Sequence, residues 1–221
     1  MTTVTIPMTD APPAMLMLLF EDVLDPASPL ALPPAIRALY LRSGDAVVGG
    51  QALTADTALF TEDATTVTGT GTLWRFEVAH RAPDWQLSPE DRARVLLARP
   101  LLRDPSLPFV LRLDRVNFTP DVETPRHGHF GQGIRRLIDG RLLLTIGDRV
   151  ERRQRDEAWF ETGEEPVAAR GLLPGTAFIR ALVMDATMQG QSSFRAWTPE
   201  DATRPRGVTY RLYLDEVTRL R

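Results

Sequence analysis

The sequence predicts an all-β protein built from two similar antiparallel barrels or sandwiches that a short helix joins. Three observations support this prediction. Most segments are short, rich in aliphatic and aromatic residues, and bounded by Gly, Asp or Pro; a pattern that begins at Ile36 returns at Ile134; and strong helix signals occur only between the two copies. Many short strands with few helices are typical of β-sandwiches and barrels.

The strands are predicted from their composition and from the turn residues between them. The final segment alternates most clearly, because Tyr210 and Leu212 share one face while Arg211 and Tyr213 share the other. An apolar run near the start is also expected to be a buried strand. The predicted strands are AMLMLLFEDV, ALYLRSG, QALTADTALFT, TGTLWRFEVA, FVLRLDRVNFT, GIRRLIDGRLLLTIG, DEAWFET, TAFIRALVM and GVTYRLYLDEV.

A helix is predicted over residues 88–98. Ser88 is a good N-cap, a proline and two acidic residues follow it in the first turn, and Pro100 should end the helix. The segment WTPED, which begins at Trp197, repeats this capping signal and predicts one brief helical turn.

The two copies of the repeat agree in order and spacing. Both begin Ile-Arg, and Asp56 and Phe60 lie one hundred residues before Asp156 and Phe160. Such agreement favours a duplicated unit. We therefore expect a first domain at 1–87, a linking helix within 88–105 and a second domain at 106–221.

Composition excludes several classes of function. The net charge is −3, and all 26 basic residues are Arg, so a nucleic-acid-binding surface is not expected. The chain has no Cys, which excludes disulfides and thiolate ligands. The apolar run at 14–20 is too short to cross a membrane, and no basic residue precedes Arg37. These features favour a cytoplasmic protein.

The stretch PRHGHFGQG holds two of the three histidines, His127 and His129. Side chains at i and i+2 leave the same face of an extended strand, so the two imidazoles are expected to lie side by side. Carrying the repeat back places Pro29 and Ala31 opposite them, so the first domain lacks this pair. A feature present in one copy only is better explained by chemistry than by folding.

The segment from Pro125 to Val167 resembles the conserved core of the cupin superfamily. His127 and His129 match its His-x-His pair, and Gly140 matches its turn glycine. RDEAWFETGEEPV is similar to its second motif through Asp156 and Gly163. The resemblance implies a bicupin of two double-stranded β-helix (jelly-roll) barrels, of which the first is degenerate.

The resemblance also implies a divalent transition metal, but two of the usual ligand positions have changed. The glutamate position falls on Gly133 and the third histidine position on Pro166. Gln132 and Glu161 are candidate replacements, so the predicted ligands are His127, His129, Gln132 and Glu161. A turn hydrogen bond for Gln132 and a solvated strand end for Glu161 remain alternatives.

The neighbouring residues leave further alternatives open. Arg135 and Arg136 should face opposite ways, and one of them could meet an anionic substrate, although a solvent-facing position is the more common outcome. One of Trp159 and Phe160 should lie in the core while the other could wall a pocket.

The function expected from these features is that of a metal-dependent enzyme, with an oxygenase acting on a small organic molecule as the first hypothesis. Fe, Mn, Ni and Zn all suit the predicted ligands. The alternative is a non-catalytic cupin that binds or senses a small molecule, with a structural metal or none. A homodimer is also expected, and the strands around 15–20 and 210–214 are candidates for edge pairing within or between chains.

Overall fold

The structure, a computed structural model, describes residues 15–80 and 93–220. These residues divide into a first unit, which ends at Pro108 and includes the chain from Thr218, and a second unit, Phe109–Val217. Nearly all regular elements in the described residues are antiparallel β-strands, so the predicted all-β fold class is confirmed.

The first unit contains one seven-stranded sheet. The strands are β1 (Leu16–Leu24), β2 (Leu30–Leu32), β3 (Ile36–Val48), β4 (Gln51–Thr54), β5 (Thr57–Thr61), β6 (Thr65–Ala79) and β7 (Ala93–Pro100). Its main order is β4-β3-β6-β1-β7, with β2 paired to β6 and β5 paired to β3.

Strand β1 lies inside this sheet because its sequence is apolar on both faces. Leu16 through Phe20 are all buried, as expected of a strand that is covered on both sides. It pairs with β6 along its whole length and with β7 on the other side. Of the two kinds of edge pairing expected for this segment, within or between chains, the structure shows pairing within the chain on both edges of β1, while the homodimer itself stays a prediction.

The predicted linking helix is only partly testable and is wrong where it can be tested. Residues 88–92 lie outside the described part of the chain, but 93–100 form β7. Val95 pairs with Phe20, and Leu97 pairs with Leu19. Completing the hydrogen bonds of β1 outweighs the local preference of this segment for helix, because helix propensity is a weak prior that tertiary pairing overrides.

The second unit contains two five-stranded sheets, ordered β13-β10-β15-β8-β17 and β12-β11-β14-β9-β16. Its strands are β8 (Phe109–Phe118), β9 (His127–His129), β10 (Gln132–Asp139), β11 (Arg141–Ile146), β12 (Arg149–Gln154), β13 (Ala158–Glu161), β14 (Val167–Gly171), β15 (Ala177–Asp185), β16 (Phe194–Ala196) and β17 (Val208–Thr218).

The core of the second unit joins residues from both of its sheets. Phe178 and Trp159 come from one sheet, and Leu142 and Leu144 come from the other; all are buried in one apolar cluster. The two aromatic rings meet edge to face, with centroids 5.3 Å apart. Several residues of this cluster also line the cavity of the candidate site.

A similar turn occurs at the matched aspartates of both units. Asp56 and Asp156 have positive φ angles of 60° and 70°. The amide of Asp56 donates to the carbonyl of Leu41, and that of Asp156 donates to the carbonyl of Leu137, each over 2.9 Å. The occurrence of this turn at matched positions agrees with the repeat seen in the sequence.

The WTPED prediction is confirmed by the short helix α1 (Pro199–Thr203). Thr198 is its N-cap and accepts a hydrogen bond from the amide of Asp201. The described part of the chain has no helix that is long and apolar enough to cross a membrane.

Candidate functional site

The two histidines lie on β9, a three-residue strand held between β14 and β16. His127 pairs with Val167 on one side, and His129 pairs with Phe194 on the other. Both side chains are buried, and both line the same cavity. Their ring centroids are 4.8 Å apart, with the rings nearly perpendicular. The prediction that the two imidazoles lie side by side is therefore confirmed.

The close approach of the backbone at Gly163 keeps β9 in place. The amide of His129 donates to the carbonyl of Gly163 over 3.1 Å. Gly163 has a φ of +84°, and a Cβ there would lie 2.6 Å from the His129 carbonyl oxygen. Only glycine meets both demands without strain.

Glu161 is brought to the histidines by strand pairing. It pairs with Gly133, the residue at the glutamate position of the cupin motif, so a carboxylate reaches this part of the barrel from the adjacent strand. Its Oε2 lies 3.2 Å from Nε2 of His129 and 2.9 Å from a terminal nitrogen of Arg135. Its Oε1 accepts a hydrogen bond of 2.7 Å from the indole of Trp159.

Arg135 supplies the positive charge beside this carboxylate. Its side chain is fully buried, and it donates to the carbonyl of Gly133 over 2.6 Å. Arg136, on the opposite face of β10, is also buried and donates to the carbonyl of Asp156. The expectation that one arginine would face solvent is therefore wrong, because each guanidinium finds carbonyl or carboxylate partners inside the protein.

The charges at the site follow from burial and contact. Burial would raise the pKa of Glu161, but the Arg135 guanidinium and His129 outweigh it and hold that pKa well below its usual range. Burial lowers the pKa of His129 to about 3, although Glu161 partly opposes it. Burial also lowers the pKa of His127, and it brings the pKa of Arg135 to about 10. At neutral pH the site therefore holds one anion, one cation and two neutral imidazoles.

The tautomer of His127 is set by the backbone. Its Nδ1 lies 2.8 Å from the carbonyl oxygen of Pro125, which can only accept, so Nδ1 carries the proton and Nε2 keeps its lone pair. The ring stacks on Phe194 at 4.8 Å between centroids. By contrast, Nδ1 of His129 is buried without a hydrogen-bond partner in the described structure.

The histidines and Glu161 line an inner cavity of about 30 Å³. This volume has room for one or two water molecules or for a small chemical group. Its walls are mainly apolar: Val116, Phe118, Leu144, Val167, Ala169, Phe178 and Val208.

An outer cavity of about 280 Å³ adjoins the inner one. Four residues line both cavities, and they therefore form the boundary between them: Arg180, Phe194, Arg206 and Tyr210. The outer cavity also has polar walls from Gln191, Ser192 and Ser193. Together the two spaces approach the lower end of the size range for small-molecule pockets.

The arrangement does not suit a bound transition metal. Among residues 15–80 and 93–220, no three His, Asp or Glu side chains are grouped so that they could hold a metal ion. The Arg135 guanidinium also lies 2.9 Å from the carboxylate oxygen that would face the metal, and a second cation there would be repelled. A ligating histidine normally donates its other ring N–H, yet Nδ1 of His129 has no acceptor in the described structure.

Three of the four residues predicted as metal ligands line the same inner cavity, although they are not grouped closely enough to hold a metal ion: His127, His129 and Glu161. Gln132 begins β10, three residues before Arg135, so the two side chains leave opposite faces of that strand, and Gln132 does not line the inner cavity. Sequence reasoning noticed Arg135 but did not place it at the site. The signal that could have found it is the two-residue spacing from Gly133, which puts both positions on one face of β10.

Comparison with known proteins identifies the fold. The sequence matches no family model and no curated protein. Among solved structures, a cupin 2 conserved barrel domain protein from Leptotrichia buccalis has a TM-score of 0.48 and 12% identity, over 77% of this chain and 84% of that one. Protein Ylba from E. coli has a TM-score of 0.50 and 11% identity, over 77% of each chain.

A third match is salicylate 1,2-dioxygenase from Pseudoaminobacter salicylatoxidans, in a structure of its adduct with gentisate. It has a TM-score of 0.48 and 10% identity, over 91% of this chain and 72% of that one. At such identities the likeness concerns the fold alone. The chain has the cupin fold, as the His-x-His and turn-glycine motifs predicted.

Proposed function

We propose that the second unit binds a small organic molecule in its inner and outer cavities and that it does so without a metal ion. The observation that carries this proposal is the pairing of Glu161. The charge of the Glu161 carboxylate is already compensated by the buried cation Arg135 at 2.9 Å, so no metal ion is required to balance it. The apolar walls around it, with a few polar groups at one end, are typical of pockets for small molecules.

The neutral imidazoles set the chemistry of this binding. His127 presents the lone pair of Nε2, because its proton is held at Nδ1 by the Pro125 carbonyl. It can therefore accept a hydrogen bond from a hydroxyl or an N–H of the bound molecule. Glu161 lines the same cavity and can accept a further hydrogen bond there, because each carboxylate oxygen has more than one lone pair.

A fragment screen tests this proposal by nuclear magnetic resonance. Small organic fragments should shift the amide signals of β9 and β16 at millimolar concentration, and filling the inner cavity by Ala169→Leu should remove the effect. Ala169 is a small residue of the cavity wall, so the added side chain occupies the space directly. If no fragment shifts these signals in the unmodified protein, the proposal is wrong.

The second candidate function is the metal-dependent oxygenase predicted from the sequence. It is favoured by one observation, namely that Nε2 of His129 and Oε2 of Glu161 are only 3.2 Å apart while His127 keeps a lone pair at Nε2. Titration with Fe(II), Mn(II), Ni(II) or Zn(II) by calorimetry separates the candidates. The first proposal expects no stoichiometric uptake by the unmodified protein.

The matched controls are His127→Ala and His80→Ala. His80 is the third histidine of the chain and lies in the first unit. One equivalent of metal that is lost in His127→Ala and kept in His80→Ala would replace the first proposal with the second.

A further inference from the structure

We infer that the molecule bound by the second unit is an organic anion and that Arg206 recognises its negative group in the outer cavity. This inference rests on the proposed function and specifies the chemical class of the ligand. It begins from the charges that line the outer cavity, where three guanidinium groups, those of Arg112, Arg180 and Arg206, face one carboxylate, that of Asp114.

Two of these cations are already neutralised. Arg112 donates hydrogen bonds to both carboxylate oxygens of Asp215, over 2.7 Å and 3.1 Å. Arg180 binds Asp114 in the same two-pronged way, at 3.0 Å and 2.7 Å. Both arginines are buried, so their role is to hold the cavity walls together.

Arg206 is the cation that remains. Its side chain is exposed, and its contacts in the described structure are with the Phe194 ring, 4.2 Å from the guanidinium carbon, and with the Ser192 hydroxyl at 3.5 Å. Neither partner carries a negative charge. The outer cavity therefore has one positive charge in excess, at the residue that also borders the inner cavity.

The position of Arg206 is fixed by its surroundings. The next residue, Gly207, has a φ of +67°, and its carbonyl accepts a hydrogen bond of 2.8 Å from the amide of Thr119. The guanidinium lies on Phe194, whose ring in turn stacks on His127. A guanidinium that packs on an aromatic ring can still bind a carboxylate with two parallel hydrogen bonds through its N–H groups.

The remaining walls indicate an apolar body for this anion. Tyr210 and Leu212 are 44% and 56% exposed, and both line the outer cavity. Exposed apolar side chains beside an uncompensated cation match a molecule that combines an aromatic or aliphatic part with an anionic group. An inorganic anion would leave these side chains uncovered.

The test compares carboxylates with their uncharged amides. Benzoate, cyclohexanecarboxylate and the corresponding amides are titrated into the unmodified protein while the amide signals of β16 and β17 are followed. We expect the carboxylates to bind at least about tenfold more tightly than the amides, since one charge-assisted pair is lost in the amide. Arg206→Gln should remove that preference.

The matched control is Arg204→Gln. Arg204 lies two residues away, is paired with Asp201 and does not line either cavity. If the carboxylates and amides bind equally well, or if Arg206→Gln and Arg204→Gln have the same effect, the inference is overturned while the proposed function stands. If neither class of molecule binds, the inference is overturned, and the fragment screen then decides separately whether the proposed function stands.

Discussion

Replacing Arg135 with methionine removes the cation that faces Glu161 inside the second unit. Methionine keeps much of the length of the side chain, so the change isolates the charge better than alanine would. Both groups are buried, and the arginine is fully so. The Glu161 carboxylate would then keep only the Trp159 indole and the His129 imidazole as polar neighbours.

The expected cost follows from the geometry. The closest atoms of the pair are 2.9 Å apart. Charge centres separated by about 4 Å attract each other by about 4 kcal/mol at the effective dielectric constant that describes most protein sites. Removing one partner of a buried pair costs about 3–5 kcal/mol, because the other charge stays buried. We therefore expect Arg135→Met to lower the free energy of unfolding by about 4 kcal/mol.

A double-mutant cycle in urea measures this pairing. Arg135→Met and Glu161→Gln should each be strongly destabilising, while the double variant should be more stable than the sum of the two changes predicts by about 3 kcal/mol. The control is Arg149→Met, because Arg149 forms an exposed pair with Glu165 at 3.6 Å and should cost less than about 1 kcal/mol. Additive effects within about 0.5 kcal/mol would refute the pairing argument.

Two further predictions concern His129 and the glycine beside it. The folded pKa of His129 is about 3, whereas an unfolded histidine titrates near 6.5. The unfolded chain thus binds more protons between these values, so lowering the pH from 7 to 5 should cost about 2 kcal/mol in denaturant titrations. A His129→Gln variant with an unchanged pH dependence would contradict this. Gly163→Ala should destabilise the protein more than Gly175→Ala. Both glycines have positive φ, but only at Gly163 do backbone atoms lie within 3 Å of the added Cβ. Equal melting temperatures of the two variants would contradict the role given to Gly163 in holding β9.

Patterns that depend on local spacing were predictable from the sequence. The i, i+2 histidines lie on one strand face, the WTPED segment forms a capped helix, and Asp56 and Asp156 sit in equivalent turns. Each of these depends on a few neighbouring residues, whose preferences decide the local conformation without help from distant parts of the chain.

Features that depend on strand pairing were not predictable in the same way. The segment at 93–100 has helical character alone but becomes β7 because β1 has an unfilled edge. Likewise, nothing local shows that Glu161 pairs with Gly133 or that Arg135 turns toward it. Register across strands is set by the whole sheet, so a residue count along the chain cannot supply it.

Both units contain a buried pair of an arginine and a carboxylate. Arg37 and Arg135 both follow the isoleucine that begins a repeat, both are fully buried, and each contacts a buried carboxylate, at 3.0 Å in Glu77 and at 2.9 Å in Glu161.

The carboxylates differ in what else surrounds them. In the first unit, Arg75 also binds Glu77 at 2.7 Å and holds Asp22 with two hydrogen bonds, so that two arginines and two carboxylates balance one another. In the second unit, the neutral His129 stands beside Glu161, and both line a cavity. A buried arginine–carboxylate pair is thus common to both units and is explained by folding, whereas the histidine pair occurs only beside the cavity. The binding function is therefore best sought in the second unit, at the cavity that the histidine pair and Glu161 line together.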